Sequence, residues 1–291
     1  MRTQSLDTHP RAEAVQVALL RRASIAKRLF CLRSLSRNVV RLARRALSRT
    51  HPELNECEIA TLFVANHYGI VPANSLKNTA DRRYPMPEQN ILTALKPVIE
   101  AFEQLGVPHY VGGSVASSAY GIPRATLDVD IVADLKPHQA GALIAMLESV
   151  YYADEDTILG AIGRGGSFNL IHLDSMLKVD VFVTGDGAYQ QEVLQRRRKD
   201  TLAEEPDGVE CYLASAEDIV LNKLHGVRLG GGVSEQQWRD ILGVLKVQAD
   251  ALDIPYLRRW ALELQLLDLL ERALGEAGLA INPASAPSGE R

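Results

Sequence analysis

Two short segments that alternate apolar and charged residues constrain the fold of this chain more than any other feature. The first runs from Leu127 to Ile131, and the second runs from Lys178 to Val183. Because successive side chains on a strand point to opposite faces, each pattern predicts a strand with one apolar face. Segments with apolar residues at helical spacing precede, separate and follow these strands. The sequence therefore predicts a protein of the α/β class.

Three acidic residues fall on the polar faces of these predicted strands: Asp128, Asp130 and Asp180. Asp128 and Asp130 would lie about 6–7 Å apart along one strand, where their charges repel unless a cation lies between them. Mg²⁺ suits such a site, because proteins hold it with one or two carboxylates and substrate phosphates. If the two strands pair, the three acids converge. Two of them could then bridge paired metal ions, and the third could orient or deprotonate an acceptor hydroxyl.

A glycine turn supplies the second half of the candidate site. Gly112 and Gly113 allow close backbone approach to a phosphate, and Ser114 would begin a helix whose free N–H groups favour anions. Arg124 could pair with phosphate in fork geometry. Each motif alone has a structural interpretation: a loop for the glycines, a solvated strand edge for the acid pair, and an ion pair with Lys178 for Asp180. Together and in this order, they indicate a nucleotide site.

This combination resembles the signature of the polymerase β-like nucleotidyltransferase superfamily. The finer pattern is similar to the branch that holds AbiEii-type toxins and related bacterial nucleotidyltransferases. The matching residues are Gly112-Gly-Ser114, Gly121 to Asp130 (with Arg124 and Thr126), Asp180, Ser215 to Asp218, Lys223 and Arg239-Asp240.

The resemblance implies an α+β fold in which a nucleotidyltransferase core with a mixed sheet is flanked by helices. It also implies a Mg²⁺-dependent enzyme that transfers a nucleoside monophosphate from a nucleoside triphosphate (NTP), such as ATP, to an acceptor hydroxyl. Thr126, Lys223 and Asp240 would join the nucleotide-binding residues, with Lys223 on the triphosphate and Asp240 supporting Lys223 or the substrate. The acceptor implied by the branch is a tRNA end, in a toxin controlled by an antitoxin protein.

Two other functions stay open. One is a small-molecule nucleotidyltransferase of the antibiotic-modifying type, and the other is an inactive fold of this kind that only binds nucleic acid. The second is favoured by the stretch from Arg21 to Arg49, which holds ten Lys and Arg residues and no Asp or Glu. Its arginines recur every fourth residue at Arg33, Arg37, Arg41, Arg45 and Arg49. The same stretch is also compatible with a targeting peptide, a solvated helix face or a surface for an acidic protein.

Length and composition set the outer limits of these predictions. With 291 residues, of which 46% are hydrophobic and 23% charged, the chain can form one large domain or two modest ones. Three widely spaced cysteines argue against a disulfide framework or a zinc site and indicate a reducing cytosol. No apolar run is long enough to predict a membrane span. We predict a basic helical extension and linker over residues 1–85, a catalytic core over 86–213, a helical lobe over 214–275 and a disordered tail over 276–291.

Overall fold

Seven strands in the described part of the computed structural model form one mixed sheet. The strands are β1 (His109–Val111), β2 (Asp128–Ala133), β3 (Tyr151–Tyr152), β4 (Ser167–His172), β5 (Lys178–Val183), β6 (Arg198–Thr201) and β7 (Glu210–Leu213). Their order across the sheet is β3-β4-β5-β2-β1-β7-β6. The β2–β5 and β1–β7 pairs are parallel, and the other neighbouring pairs are antiparallel. The mixed sheet of the predicted α+β fold is confirmed.

The structure describes residues 2–4, 8–68, 91–173, 175, 177–203, 208–231 and 234–279. The chain divides into two compact units. We call residues 25–116 and 123–214, which include the whole sheet, the sheet unit. Residues 1–24, 117–122 and 215–291 form the helical unit. The predicted linker before residue 91 and most of the predicted tail lie outside the described residues, and the predicted domain boundaries stay a prediction.

Twelve α-helices accompany the sheet in the described ranges. They are α1 (Pro10–Arg22), α2 (Ile25–Thr50), α3 (Glu56–Tyr68), α4 (Ile91–Gln104), α5 (Gly113–Tyr120), α6 (Ala140–Leu147), α7 (Glu155–Arg164), α8 (Ala188–Arg196), α9 (Ala216–Leu229), α10 (Glu235–Gln248), α11 (Ile254–Glu263) and α12 (Leu267–Ala277). None of these helices is both long and apolar enough to cross a membrane.

The core of the sheet unit begins at the two central strands. Val129, Ile131, Val179 and Val181 have no exposed surface, because β2 and β5 lie in the middle of the sheet. This burial accounts for the alternation of the sequence, since the opposite positions are left for polar residues.

Helices α2 and α3 also belong to the sheet unit. Val40 of α2 packs with Phe63 and Val64 of α3 and with Leu173, which follows β4. Leu29 and Leu32 of α2 are buried as well. The basic N-terminal segment therefore packs into the sheet unit, against the residue that follows β4 and against Leu127, which precedes β2.

In the helical unit, a buried ion pair joins α1 to α10. The ammonium of Lys246 lies 2.6 Å from a carboxylate oxygen of Glu13, and both side chains are almost completely buried. The guanidinium of Arg21 donates two hydrogen bonds to the carbonyl of Lys246. These contacts fix the N-terminal helix onto the C-terminal helices of the same unit.

The helical lobe predicted over residues 214–275 contains α9 to α11 and most of α12. Its leucine-rich end forms two helices, because Gln265 adopts a positive φ of 58° between α11 and α12. Residues 163–166 contain the end of α7, which Gly165 terminates in the left-handed region. The sequence analysis does not predict the strands β3 and β6 or the helices α7 and α8, which have two to ten residues each.

Candidate active site

The register of β2 and β5 places the three predicted acids on one face of the sheet. Asp130 is the direct neighbour of Asp180, and Asp128 is the direct neighbour of Lys178. Directly paired residues of neighbouring strands share a face, and residues two apart on one strand also share it. Asp128, Asp130, Lys178 and Asp180 therefore form one polar cluster in the middle of the sheet, opposite the buried valines and isoleucine.

The glycine turn lies against one of these acids. The backbone N–H of Gly112 donates to the carbonyl of Asp130 at 2.9 Å. Gly113, the first residue of α5, has a φ of +51°, and a Cβ at this position would overlap the carboxylate of Asp130. Only glycine fits here, because both the left-handed backbone and the close approach exclude a side chain. The N-terminus of α5 and the carboxylate of Asp130 thus lie side by side.

Ser114 and Arg124, both predicted to bind phosphate, are in contact. The Nη2 of Arg124 donates to the Oγ of Ser114 at 2.5 Å, and its Nη1 donates to the carbonyl of Ala125 at 3.1 Å. Both side chains are half-buried. The guanidinium is therefore held at the first turn of α5, where an anion would also meet the helix N-terminus.

Thr126 is buried and faces Asp128. Its hydroxyl donates to Oδ1 of Asp128 at 2.6 Å, and its backbone N–H donates to the Oγ of Ser36 in α2 at 3.0 Å. A hydrogen bond from a fixed hydroxyl limits the rotamers of the carboxylate. Thr126 therefore orients Asp128, and α2 in turn holds Thr126.

Asp180 is paired with a cation from its own strand. The ammonium of Lys178 lies 2.8 Å from Oδ2 of Asp180, as in the ion-pair alternative raised from the sequence. Burial raises the pKa of the Asp180 carboxyl, the Lys178 ammonium opposes this rise, and the charge of Asp128 adds to it. Three carboxylates thus face a single ammonium from the same two strands.

Tyr68, the last residue of α3, closes one side of this cluster. Its hydroxyl donates to the carbonyl of Leu127 at 2.8 Å, and the ammonium of Lys178 lies 5.7 Å from the centre of its ring. Burial raises the pKa of the Tyr68 hydroxyl, and the negative charges of Asp128 and Asp180 raise it further. Tyr68 is therefore a neutral hydrogen-bond donor at neutral pH.

Lys223 of α9 and Asp240 of α10 belong to the helical unit. The Nζ of Lys223 donates to Oδ2 of Asp240 at 2.8 Å, and their side chains are only 10% and 5% exposed. This contact matches the alternative in which Asp240 supports Lys223. The sequence motif thus corresponds to a buried ion pair between neighbouring helices.

The acids fit a hard divalent cation in kind and number. Mg²⁺ prefers carboxylate oxygens and needs only one or two of them when phosphates complete its shell, and Asp128 and Asp130 offer two on one face. Among the described residues, no three acidic, histidine or cysteine side chains form a group that could hold a metal ion. One oxygen of Asp128 binds the Thr126 hydroxyl, and one oxygen of Asp180 binds the Lys178 ammonium.

Three polar residues near the cluster were missed from the sequence. Tyr68 and Ser36 come from the N-terminal segment, and no local pattern points to contacts so distant in the chain. Asn169 is the direct neighbour of Asp180 on β4 and shares its face. The alternation of exposed and buried residues at the start of β4 could have revealed Asn169.

Comparison with known proteins gives no family assignment. No protein-family model matches the chain, and no curated protein matches it. An antigenic nucleotidyltransferase-like protein from Paracoccidioides brasiliensis is 18% identical over 68% of this chain and 97% of its own, with a TM-score of 0.42. The antibiotic-resistance factor ANT(2'')-Ia is 16% identical over 64% of this chain and 93% of its own, with a TM-score of 0.39. Similarity at this level is too low to establish a common fold or activity.

Proposed function

We propose that this protein is a Mg²⁺-dependent nucleotidyltransferase. The observation that supports the proposal best is the polar face of β2 and β5, where Asp130 lies opposite Asp180 and the glycine turn touches the Asp130 carboxylate. Clustered carboxylates beside a helix N-terminus form a site for a divalent cation and a polyphosphate. If the acid pair were only a solvated strand edge, neither the clustered carboxylates nor the contact with the glycine turn would be expected.

Asp128 and Asp130 would hold the cation. When bound, Mg²⁺ would neutralise charge on the phosphates of the substrate and on the departing pyrophosphate. The N–H groups at the start of α5 and the Ser114 hydroxyl would bind a phosphate oxygen, and Arg124, fixed on Ser114, would add a fork of donors. Catalysis by such a site comes mainly from positioning and from charge stabilisation.

Asp180 would receive the proton of the acceptor. Its Oδ2 is bound to Lys178, and we assign Oδ1 to the acceptor O–H. As the proton moves to Asp180, the acceptor oxygen forms a bond to the α-phosphorus. The bond from this phosphorus to the β-bridging oxygen breaks, and pyrophosphate leaves. Burial raises the pKa of Asp180, which makes the carboxylate a better proton acceptor than an exposed one.

Lys223 and Asp240 would take part in binding the triphosphate, with Asp240 fixing the ammonium of Lys223. This role rests on the sequence motif and on the 2.8 Å contact between the two side chains. The alternative is a structural ion pair within the helical unit. Replacing both residues, as Lys223→Met with Asp240→Leu, leaves no unpaired buried charge, so a raised KM for the nucleotide in a folded double variant would favour the binding role.

The acceptor we favour is an RNA end such as that of tRNA, in a toxin that an antitoxin protein would restrain. A small-molecule acceptor is the alternative within the same chemistry. The arginines of α2 favour the polyanionic acceptor, because they lie in the same unit as the acids.

The test is transfer of label from each of the four α-labelled NTPs, with Mg²⁺ and total cellular RNA. We expect Asp128→Asn and Asp130→Asn to lose at least about 100-fold in rate, since each removes charge at the reacting centre. Asp186→Asn is the matched control, because its side chain is 92% exposed and lies outside the polar face. Full transfer by both site variants would refute the proposal.

If the wild-type protein labels no RNA, the same assay is repeated with pooled small hydroxyl compounds as acceptors. Label on one of these compounds, lost in Asp128→Asn, would assign the small-molecule activity. No label on either class, together with no calorimetric binding of Mg²⁺ and NTP, would favour the inactive, nucleic-acid-binding alternative.

A further inference from the structure

The arginines that recur every fourth residue along α2 form a stripe, which we call the arginine row: Arg33, Arg37, Arg41, Arg45 and Arg49. At 3.6 residues per turn, each member lies about 40° further around the helix than the one before, so the row winds by about 160° from Arg33 to Arg49. Arg33 is half-buried, and the other four are exposed. At 1.5 Å per residue the row is about 24 Å long, with neighbouring members about 6 Å apart along the helix axis. Its length and spacing are fixed, because α2 is one unbroken helix.

The charge of the row is not compensated along most of its length. In the part of the chain that the structure describes, no carboxylate lies within ion-pair distance of Arg41, Arg45 or Arg49. Arg44, beside the row, differs because it pairs with Glu56 at 3.1 Å. Unbalanced like charges four residues apart on a helix are unfavourable for folding, so a function is a better explanation for them than stability.

A residue in the first turns of the row connects α2 to the candidate active site. Ser36 lies between Arg33 and Arg37 in the chain, on the buried side of α2, and its hydroxyl accepts the N–H of Thr126. The hydroxyl of Thr126 in turn binds Asp128. From Ser36, the helix extends about 20 Å to Arg49. A long ligand with its end at the acids could therefore follow the row.

We propose that the arginine row binds the phosphodiester backbone of a nucleic acid. Evenly spaced guanidiniums fit a ligand whose negative charges are themselves evenly spaced, and each guanidinium can bind a phosphate with two hydrogen bonds. Phosphate contacts position a nucleic acid without reading its bases, so we expect the row to bind strands of different sequence equally well. That the bound strand is also the acceptor of nucleotidyl transfer rests on the function proposed above.

The test measures binding of a fluorescent 20-nucleotide single-stranded RNA of mixed sequence across a salt titration, without NTP or Mg²⁺. The variant replaces Arg41, Arg45 and Arg49 with Gln. The slope of log K against log salt is about −0.7 per phosphate contact in a single strand. Loss of three contacts should make the slope shallower by about 2.

The matched control replaces three exposed lysines with Gln, namely Lys96, Lys136 and Lys199, which form ion pairs elsewhere in the sheet unit. Both triple variants lower the formal net charge of −4 by the same three units. We expect the control to keep the slope of the wild type, and a second RNA of unrelated sequence to bind equally well.

An unchanged slope in the arginine variant would overturn the proposal, as would an equal loss in the control. Equal competition by polyglutamate would also overturn it, since the row would then select acidic proteins. RNA binding is measured without NTP or Mg²⁺, so a loss of RNA binding can be distinguished from a loss of nucleotidyl transfer. Asp128→Asn should bind RNA normally while losing transfer.

Discussion

Replacing Gly113 with alanine tests the geometry of the candidate site most directly. The residue has a φ of +51°, and the new Cβ would overlap the carboxylate of Asp130. The left-handed backbone costs about 1–2 kcal/mol for a residue with a Cβ. Moving Asp130 away from its rotamer adds about 0.5–1.5 kcal/mol. We therefore expect Gly113→Ala to lose about 2–3 kcal/mol of stability.

The effect on activity should be larger than the effect on folding. A shift of about 1 Å in a reacting group can lower the rate about 100-fold, and Asp130 must move to make room. We expect this loss in kcat, measured by transfer of α-labelled nucleotide to RNA at saturating NTP. Urea denaturation of the same samples measures the change in the free energy of unfolding separately.

The chain offers a matched control at Gly106. This glycine follows α4, has a φ of +64°, and an added Cβ would meet no atom within 4 Å. Gly106→Ala should therefore lower the free energy of unfolding by the backbone cost of about 1–2 kcal/mol and keep full activity. If Gly113→Ala matched Gly106→Ala in both stability and rate, the glycine turn could not lie against Asp130, and our reasoning would be wrong.

Three further predictions concern single contacts. Thr126→Val should lower kcat about tenfold or more, because the Asp128 carboxylate loses a charge-assisted hydrogen bond of about 1.5–3 kcal/mol. Thr126→Ser should keep the activity, and equal rates of the two variants would contradict the orienting role. Glu13→Ala should lose about 3–5 kcal/mol in urea denaturation, since Lys246 is left charged and fully buried, and replacing both residues with leucine should restore most of it. Burial lowers the pKa of His109, so the folded state binds a proton at this ring less readily than the unfolded state. The neutral ring therefore contributes fully to the free energy of unfolding above about pH 6.5, and this contribution declines on acidification. A plot of the free energy of unfolding against pH should lack this decline in His109→Phe.

The sequence predicts strands wherever burial affects only one face. Val129 and Ile131 are buried while their neighbours are polar, so the period of two is visible without a structure. The same alternation is present at Ser167 to Leu170 of β4, although Asn169 was not predicted as a site residue. The short strands β3 and β6 have no such period, because they are edge strands of two and four residues.

The pairing of distant residues could not be predicted in the same way. Which strand lies beside β2, and in which register, depends on the packing of the whole sheet unit. A shift by one residue would have placed Asp180 on the buried face. The break at Gln265 is similar, since no glycine or proline marks this positive φ in the sequence. Local sequence thus predicts the types of residue in the site better than their partners.

The N-terminal helices connect two features that the sequence presents as separate. The segment from Thr126 to Asp128 is held by Ser36 of α2 through the N–H of Thr126, and by Tyr68 of α3 through the carbonyl of Leu127. The orientation of Asp128 therefore depends on residues outside the motif that contains it. Ser36 lies between two arginines of the row, so the helix that carries the proposed binding surface also supports Thr126, and Thr126 in turn orients Asp128.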